Sequence, residues 1–337
     1  MTDQRISTGD LAALLKAIFV RHGCSQFVAT LLATNMAGAE RDGAHSHGIF
    51  RVNGNLGSLD SLWVDGKAEP VIEDIAPGVL RGDGRNGFSL PVLELAREPL
   101  MAKARVNGLA MLSVRNAHHF SAVWPDIEPF ARAGFVAIAA VNSMASVVPH
   151  GGIKKLYGTN PMGFAVPREG ANPLVFDQAS SGWSNGDVQI ARREGRQLPP
   201  GIGVDRNGDP TTDPAMVLDG GALLPFGGHK GSAIAMMMEI LGAALAGGDY
   251  SFEIDWSQHP GAATPHGGQT YILIDPDRGN SRPFAARIEV LLEAIHDAGQ
   301  KRLPGDRRYA NRIRNERDGI PISDADFARL TALADGR

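Results

Sequence analysis

The chain has 337 residues, 43% of them hydrophobic and 21% charged, enough for one large domain or two smaller ones around a real core. A formal net charge of −4 with no long basic run argues against nucleic acid as a main partner. The single cysteine, Cys24, excludes an intramolecular disulfide, and no run of about 18 apolar residues is present to span a membrane, so a cytoplasmic location is the expectation.

Thr8 is placed to cap a first helix, in which Leu11, Leu14, Leu15, Ile18 and Phe19 recur at helical spacing, and Gly23 to end it. Ser25 is placed to cap a second helix through Phe27, Val28, Leu31, Leu32 and Met36. Residues 55–61 read as a loop, 71–75 and 78–81 as short strands, and 93–104 as a helix with Pro99 awkwardly inside. Buried strands are expected at 109–114, 135–142 and 174–176, with a short helix at 126–133. Residues 189–202 are polar and turn-rich, and Asp205-Arg206-Asn207-Gly208-Asp209-Pro210 signals a tight turn. A long buried helix is expected at 231–245, a strand at 269–274, and a helix at 284–298 with Ile288, Leu291, Leu292 and Ile295 on one face. The tail from Lys301 is charged until a last short helix near Phe327. The sum is an α/β chain without regular βαβ alternation.

Several segments carry chemistry. Ser46-His47 lies four residues before Arg51, which reads as a proton donor beside an anion clamp. Asn116-Ala117-His118-His119-Phe120-Ser121-Ala122 follows a buried strand, the position of a ligand-facing loop. Phe176-Asp177-Gln178 ends another strand, and Ser184-Asn185-Gly186-Asp187 adds an acid able to orient a histidine. Gly227-Gly228-His229-Lys230-Gly231 opens the long helix and suits a phosphate or carboxylate. Gly82-Asp83-Gly84-Arg85-Asn86-Gly87 matches a dinucleotide fingerprint, but Asp83 would meet the pyrophosphate and no fitting acid follows, so it reads as a tight turn. Without H-E-x-x-H or C-x-x-C, no metal is expected.

Taken in order, Asp42-Gly43-Ala44-His45-Ser46-His47-Gly48, His118-His119-Phe120, Gly158-Thr159-Asn160-Pro161, Phe176-Asp177, Pro210-Thr211-Thr212-Asp213-Pro214 and Gly227-Gly228-His229-Lys230-Gly231 resemble the malate/L-lactate dehydrogenase family that lacks a Rossmann fold. The likeness extends to Leu303-Pro304-Gly305-Asp306-Arg307-Arg308. It is greatest to the branch that reduces cyclic ketimine acids, Δ1-piperideine-2-carboxylate and Δ1-pyrroline-2-carboxylate, with NADPH. Keto-acid members usually carry a basic residue where this chain has Asp187, and Gly-Ala-Ala-Gly-Tyr-like residues where it has Ser121-Ala122-Val123-Trp124.

The resemblance implies a large mixed sheet flanked by helices, a helical unit from residues 1–60 and 285–337, a small α/β connecting segment over 61–115, a cofactor-binding α/β unit over 116–284, and a homodimer. It implies His47 as proton donor, oriented by Ser46 and by Asp187, which would favour its charged form. Arg51, Thr159 and Ser184 would bind the substrate. NADPH, with NADH possible, would lie along His119, Phe120, Ser121, Ala122, Val123, Phe176, Asp177, Gln178, His229, Lys230, Asp306, Arg307 and Arg308. The competing expectations are a dehydrogenase of an open-chain 2-hydroxy acid (malate, lactate or ureidoglycolate), a metal-dependent hydrolase using the histidines, and a nucleotide-binding module without turnover.

Overall fold

The computed structural model describes residues 3–279 and 281–336. The chain opens with β1 (Asp3–Ile6), α1 (Thr8–Arg21) and α2 (Gln26–Arg41). Ser7 rather than Thr8 caps α1, its hydroxyl accepting the Asp10 N–H at 3.0 Å. Ser25 caps α2 through the Val28 N–H. Two short 3-10 turns over residues 45–51 lead into α3 (Val52–Asp60), where the sequence reading expects a loop. Gly54 and Gly57 hide the helical period of the buried Val52, Leu56 and Leu59. Both glycines serve close approach: a Cβ on Gly57 would run into the Gly261 carbonyl oxygen, and one on Gly54 would press on the Phe120 ring.

The middle of the chain supplies β2 (Val71–Ala76), β3 (Val79–Phe88), α4 (Ser89–Asn107), β4 (Leu109–His118), α5 (Trp124–Arg132), β5 (Val136–Val141), β6 (Met162–Val166) and β7 (Leu174–Gln178). Next come α6 (Asn185–Arg193), β8 (Gly203–Val204), β9 (Pro210–Thr211), α7 (Pro214–Leu218), β10 (Ala222–Leu223) and α8 (His229–Glu239), which continues as a π-helical segment, Ile240–Ala244. The chain finishes with β11 (His266–Ile274), α9 (Phe284–Asp297), α10 (Asp306–Asp318), β12 (Ile320–Ser323) and α11 (Asp324–Asp335).

Seven strands form the main sheet in the order β2-β3-β4-β11-β5-β6-β7. It is mixed: β3 and β4 run parallel, joined by α4, and the other pairings are antiparallel. Strands from both sides of residue 115 share it. The fingerprint-like Gly82–Gly87 stretch is not a free tight turn. It lies within β3, where the register with β4 shifts between Asp83 and Gly87 and Arg85 and Asn86 take positive φ. The Asp83 carboxylate itself accepts the Arg85 N–H at 2.9 Å, so that amide is not offered to a phosphate.

The largest core joins this sheet to α4 and α5 through Leu100, Leu112, Ile127, Phe130, Tyr271 and Leu273. A second core packs α1, α2, α3 and α11 against the β1–β12 pair, through Leu11, Leu15, Phe19, Val52, Ile320 and Leu330. Cys24 lies buried within it, and burial followed by the nearby Asp65 pushes its thiol up to about 12, so it is an inert packing residue. A smaller core under the three-stranded sheet β10-β8-β9 includes Val188 and Ala191 of α6. Residues 231–245 are helical but not wholly buried: Met236, Met237, Ile240 and Leu245 are exposed, as are Val290 and Leu291 of α9. Among the described residues no helix is long and apolar enough to cross a membrane.

Gly57→Ala is expected to destabilise the protein by about 1–3 kcal/mol, because the α3 backbone must move away from Gly261. Urea unfolding measures this, and an unchanged midpoint would contradict the close-approach account.

Candidate active site

The end of α2 delivers the chain into the turn that carries Ser46 and His47. Ser46 Oγ and His47 Nδ1 lie 3.1 Å apart. Arg51 folds back so that its Nε donates to the Ser46 carbonyl at 2.7 Å, and its guanidinium lies 4.2 Å over the Phe120 ring. Its Nη2 stands 3.0 Å from where a Cβ of Gly186 would be, so the start of α6 covers Arg51 closely. Asp42, fully buried, receives Arg312 of α10 through Nε and Nη2, and Arg312 Nη1 reaches Glu128 of α5 at 2.8 Å. The loop is thereby tied to two other elements.

His47 opens onto a cleft of about 720 Å³. One wall is Ser121, Ala122 and Val123, entering α5; another is Asp177 and Gln178 at the end of β7. Thr159, Ser184 and Asp187 also line it, whereas Ser46 and Arg51, expected with them, are not among its lining residues. Ser184 caps α6, accepting the Asp187 N–H at 3.0 Å. The sequence reading takes residues 189–202 as turn-rich and misses this helix. The signal is there, since Ser184 followed three residues later by an acid is a helix-start signature. Trp183, Ile190, Arg196 and Phe226 also line the cleft and are absent from the sequence-derived set.

Electrostatics differ from the sequence reading in one respect. Asp187 is expected to orient His47 and favour its charged form. Among the described hydrogen bonds none joins the two; Asp187 instead acts electrostatically on Arg51. Burial, then the Arg51 and His119 charges, push the His47 imidazole down to about 3. Arg51 is itself lowered to about 10 by burial, against the pull of Asp187, and stays charged at neutral pH.

His118 and His119 are both buried. His118 is pushed down to about 3, first by burial, and is held by Thr264 and Asn86. His119 Nε2 lies 2.9 Å from Asp126 Oδ2, which also accepts the Tyr271 hydroxyl at 2.9 Å. Asp177 Oδ2 accepts the Val123 and Trp124 N–H groups, closing the N-terminal end of α5. Burial pushes the Asp177 carboxyl up despite Arg308 at 3.7 Å. Phe176 packs on Phe164. Asp306, Arg307 and Arg308 start α10, with Asp306 accepting the Leu303 N–H and Arg308 donating to the Val175 carbonyl. His229 and Lys230 start α8, exposed and outside the cleft lining. Among the described residues no His, Cys, Asp and Glu group of metal-site size is found.

The Ser-His pair and the arginine share one short turn beside a cleft walled by the end of β7 and the approach to α5. Residues 6–331 match the malate/L-lactate dehydrogenase family, and the chain belongs to that family. It is 57% identical over 98% of its length to a Δ1-pyrroline-2-carboxylate/Δ1-piperideine-2-carboxylate reductase of Pseudomonas syringae pv. tomato, covering 96% of that protein. The like-named enzyme of Pseudomonas aeruginosa is 41% identical over 98% of this chain and 99% of its own. The crystal structure of Δ1-piperideine-2-carboxylate reductase from Pseudomonas syringae superposes with a TM-score of 0.96, at 57% identity, covering 98% of this chain and 99% of that one.

In the ligand-free protein His47 is expected to remain neutral between about pH 5 and 8, and Arg51→Met to raise its midpoint by removing a neighbouring positive charge. Imidazole C–H NMR titration reads both. A wild-type midpoint near the ordinary 6.5 would contradict the burial argument.

Proposed function

We propose that this protein is an NADPH-dependent reductase of cyclic ketimine acids, converting Δ1-piperideine-2-carboxylate to L-pipecolate and Δ1-pyrroline-2-carboxylate to L-proline. The observation that carries the reading is a carboxylate, Asp187, lining the same cleft as His47, with Arg51 held against the turn between them. The substrate has matching parts, a carboxylate next to a ring nitrogen that is cationic when protonated. An acid at position 187 attracts an iminium, where a lysine would repel it. The 57% identity to a reductase named for these substrates supports the same assignment.

The cleft's volume suits a nicotinamide ring beside a small acid, within the range of about 300–1,000 Å³ common for small-molecule sites. The nicotinamide cofactor supplies the hydride when bound. Ser121, Ala122, Val123 and Gln178 would hold its reactive end, with His119, Phe120, Phe176 and Asp177 shaping the walls behind. Asp306, Arg307 and Arg308 would meet the adenosine and phosphates, with His229 and Lys230 as further contacts. Two consecutive arginines suit the extra phosphate of NADPH.

Arg51 grips the substrate carboxylate, helped by Thr159 and Ser184. That binding offsets the Arg51 charge, one cause of His47's low basicity, so the anionic substrate makes His47 a better proton holder. His47, hydrogen-bonded to Ser46, would give one proton to the imine nitrogen, and the iminium so formed would take at its ring carbon the hydride that the cofactor supplies, leaving the neutral amine. Its expected partner is a second copy of the chain, forming a homodimer. The exposed Met236, Met237, Ile240 and Leu245, with Val290 and Leu291, support this as apolar surface in want of cover.

Assayed with NADPH and NADH, the protein should reduce both cyclic imine acids, faster with NADPH, and pyruvate and oxaloacetate poorly; preference for an open-chain keto acid would overturn the assignment. His47→Ala should lower imine turnover about 10²–10⁴-fold with NADPH affinity retained. Asp187→Lys should depress imine turnover more than any residual keto-acid turnover, and equal losses would remove the charge argument. By light scattering the wild type should weigh two chains and Met237→Glu less; a monomeric wild type would contradict the dimer.

A further inference from the structure

Glu40 stands in the last turn of α2 (Gln26–Arg41) and is only 4% exposed. A buried carboxylate is costly unless its oxygens are hydrogen-bonded, best by a charged donor. Glu40 finds both partners in the turn that follows. Its Oε2 lies 2.6 Å from His45 Nδ1, and its Oε1 accepts the Ile49 N–H at 2.8 Å. These partners flank His47, two residues before it and two after. One carboxylate therefore spans the turn bearing Ser46 and His47.

The turn needs such a brace. It is two short 3-10 pieces, neither with a side-chain cap, and its backbone bonds run from His47 to Ala44, Gly48 to His45 and Arg51 to Gly48. Short 3-10 segments are weakly held on their own. The brace is also closely fitted, because a Cβ on Gly48 would run into the Glu40 carboxylate. The hydrogen bond to Glu40 raises the His45 pKa, against the opposing effect of burial. The His45 ring faces a separate cavity of about 490 Å³, lined also by Arg193, Asp326 and Arg329, so it is not in the His47 cleft.

We propose that Glu40 is a positioning residue that fixes His47 in the cleft by clamping both sides of its turn, with His45 and the Ile49 amide as the two points it holds. This rests on the reading of His47 as the group that holds the substrate proton. Displacing a reacting group by about 1 Å can cost on the order of 100-fold in rate with little effect on binding. The clamp therefore acts on turnover rather than on affinity for the nicotinamide cofactor.

The test compares Glu40→Ala, Glu40→Gln, His45→Ala and His47→Ala by kcat, KM for the imine acid, NADPH affinity and thermal unfolding. Glu40→Ala is expected to lower kcat about 10–100-fold with NADPH affinity within about twofold. Glu40→Gln should recover part of that loss, because its amide oxygen can still accept from Ile49 while its NH2 can donate to a neutral His45 ring nitrogen. His45→Ala should fall between the two. A downfield imidazole N–H proton should be present in the wild type and absent from both Glu40→Ala and His45→Ala. Wild-type kcat in Glu40→Ala, or Glu40→Gln no better than Glu40→Ala in a folded protein, overturns the clamp. Should Glu40→Ala fail to fold, His45→Ala carries the test, and wild-type kcat there overturns it equally. Full activity in His47→Ala overturns the reading beneath; an inactive His47→Ala beside a wild-type-like Glu40→Ala overturns only the clamp.

Discussion

Arg312 joins three distant parts of the chain through two buried carboxylates, and the geometry of the cleft depends on that junction. Its Nε and Nη2 hold Asp42, where α2 gives way to the Ser46-His47 turn. Its Nη1 and Nη2 hold Glu128 of α5, whose N-terminal end carries the Ala122-Val123 wall. Its guanidinium also lies over the Trp124 and Tyr309 rings. The two carboxylates raise the Arg312 pKa despite burial, and Glu128 is held below the usual carboxylate range although burial opposes this. Arg41 also pairs with Asp42 and Arg132 with Glu128, so the junction is a network in which Arg312 is the one member that bridges the two carboxylates. Asn311 and Asn315 on the same helix add hydrogen bonds to the Asp42 and Arg41 carbonyls.

From that anchor the site follows in layers. Asp42 fixes where the turn begins, Glu40 holds the turn from beneath, and Arg51 closes it by donating back to Ser46. The result is a histidine in a poorly solvated place beside a retained positive charge, a poor base without ligand. On the opposite wall, Asp177 takes the first amides of α5 for itself, so that helix end is not offered to an anion.

Much of this arrangement is legible in the sequence where the signal is local. The Ser25 cap, the buried strands β4 and β5, and the Ser46-His47 pair need only neighbouring residues to be read, whereas β7, expected to be buried, is an edge strand with only Val175 buried. What stays hidden depends on distant contacts. The glycines of α3 look like loop formers until the backbone of Gly261 is seen against them. α10 is almost uniformly polar, and the acids that bury its Arg312 lie at positions 42 and 128. Glu40 goes unread, although its partners lie only five and nine residues on, because an irregular turn has no period to reveal it. Asp187 is correctly drawn to the cleft by its motif, but its electrostatic partner, Arg51, is set by how α6 packs, which spacing alone does not encode.

The central claim is that hydride is delivered to the ring carbon of a cyclic imine acid in this cleft. The most direct measurement is mass spectrometry of the product formed from Δ1-piperideine-2-carboxylate and NADPH deuterated at the transferable C4 position. The account predicts L-pipecolate carrying one deuterium, on the carbon that bears the carboxylate. Product without deuterium, or no product while an open-chain keto acid is reduced and labelled, would contradict it.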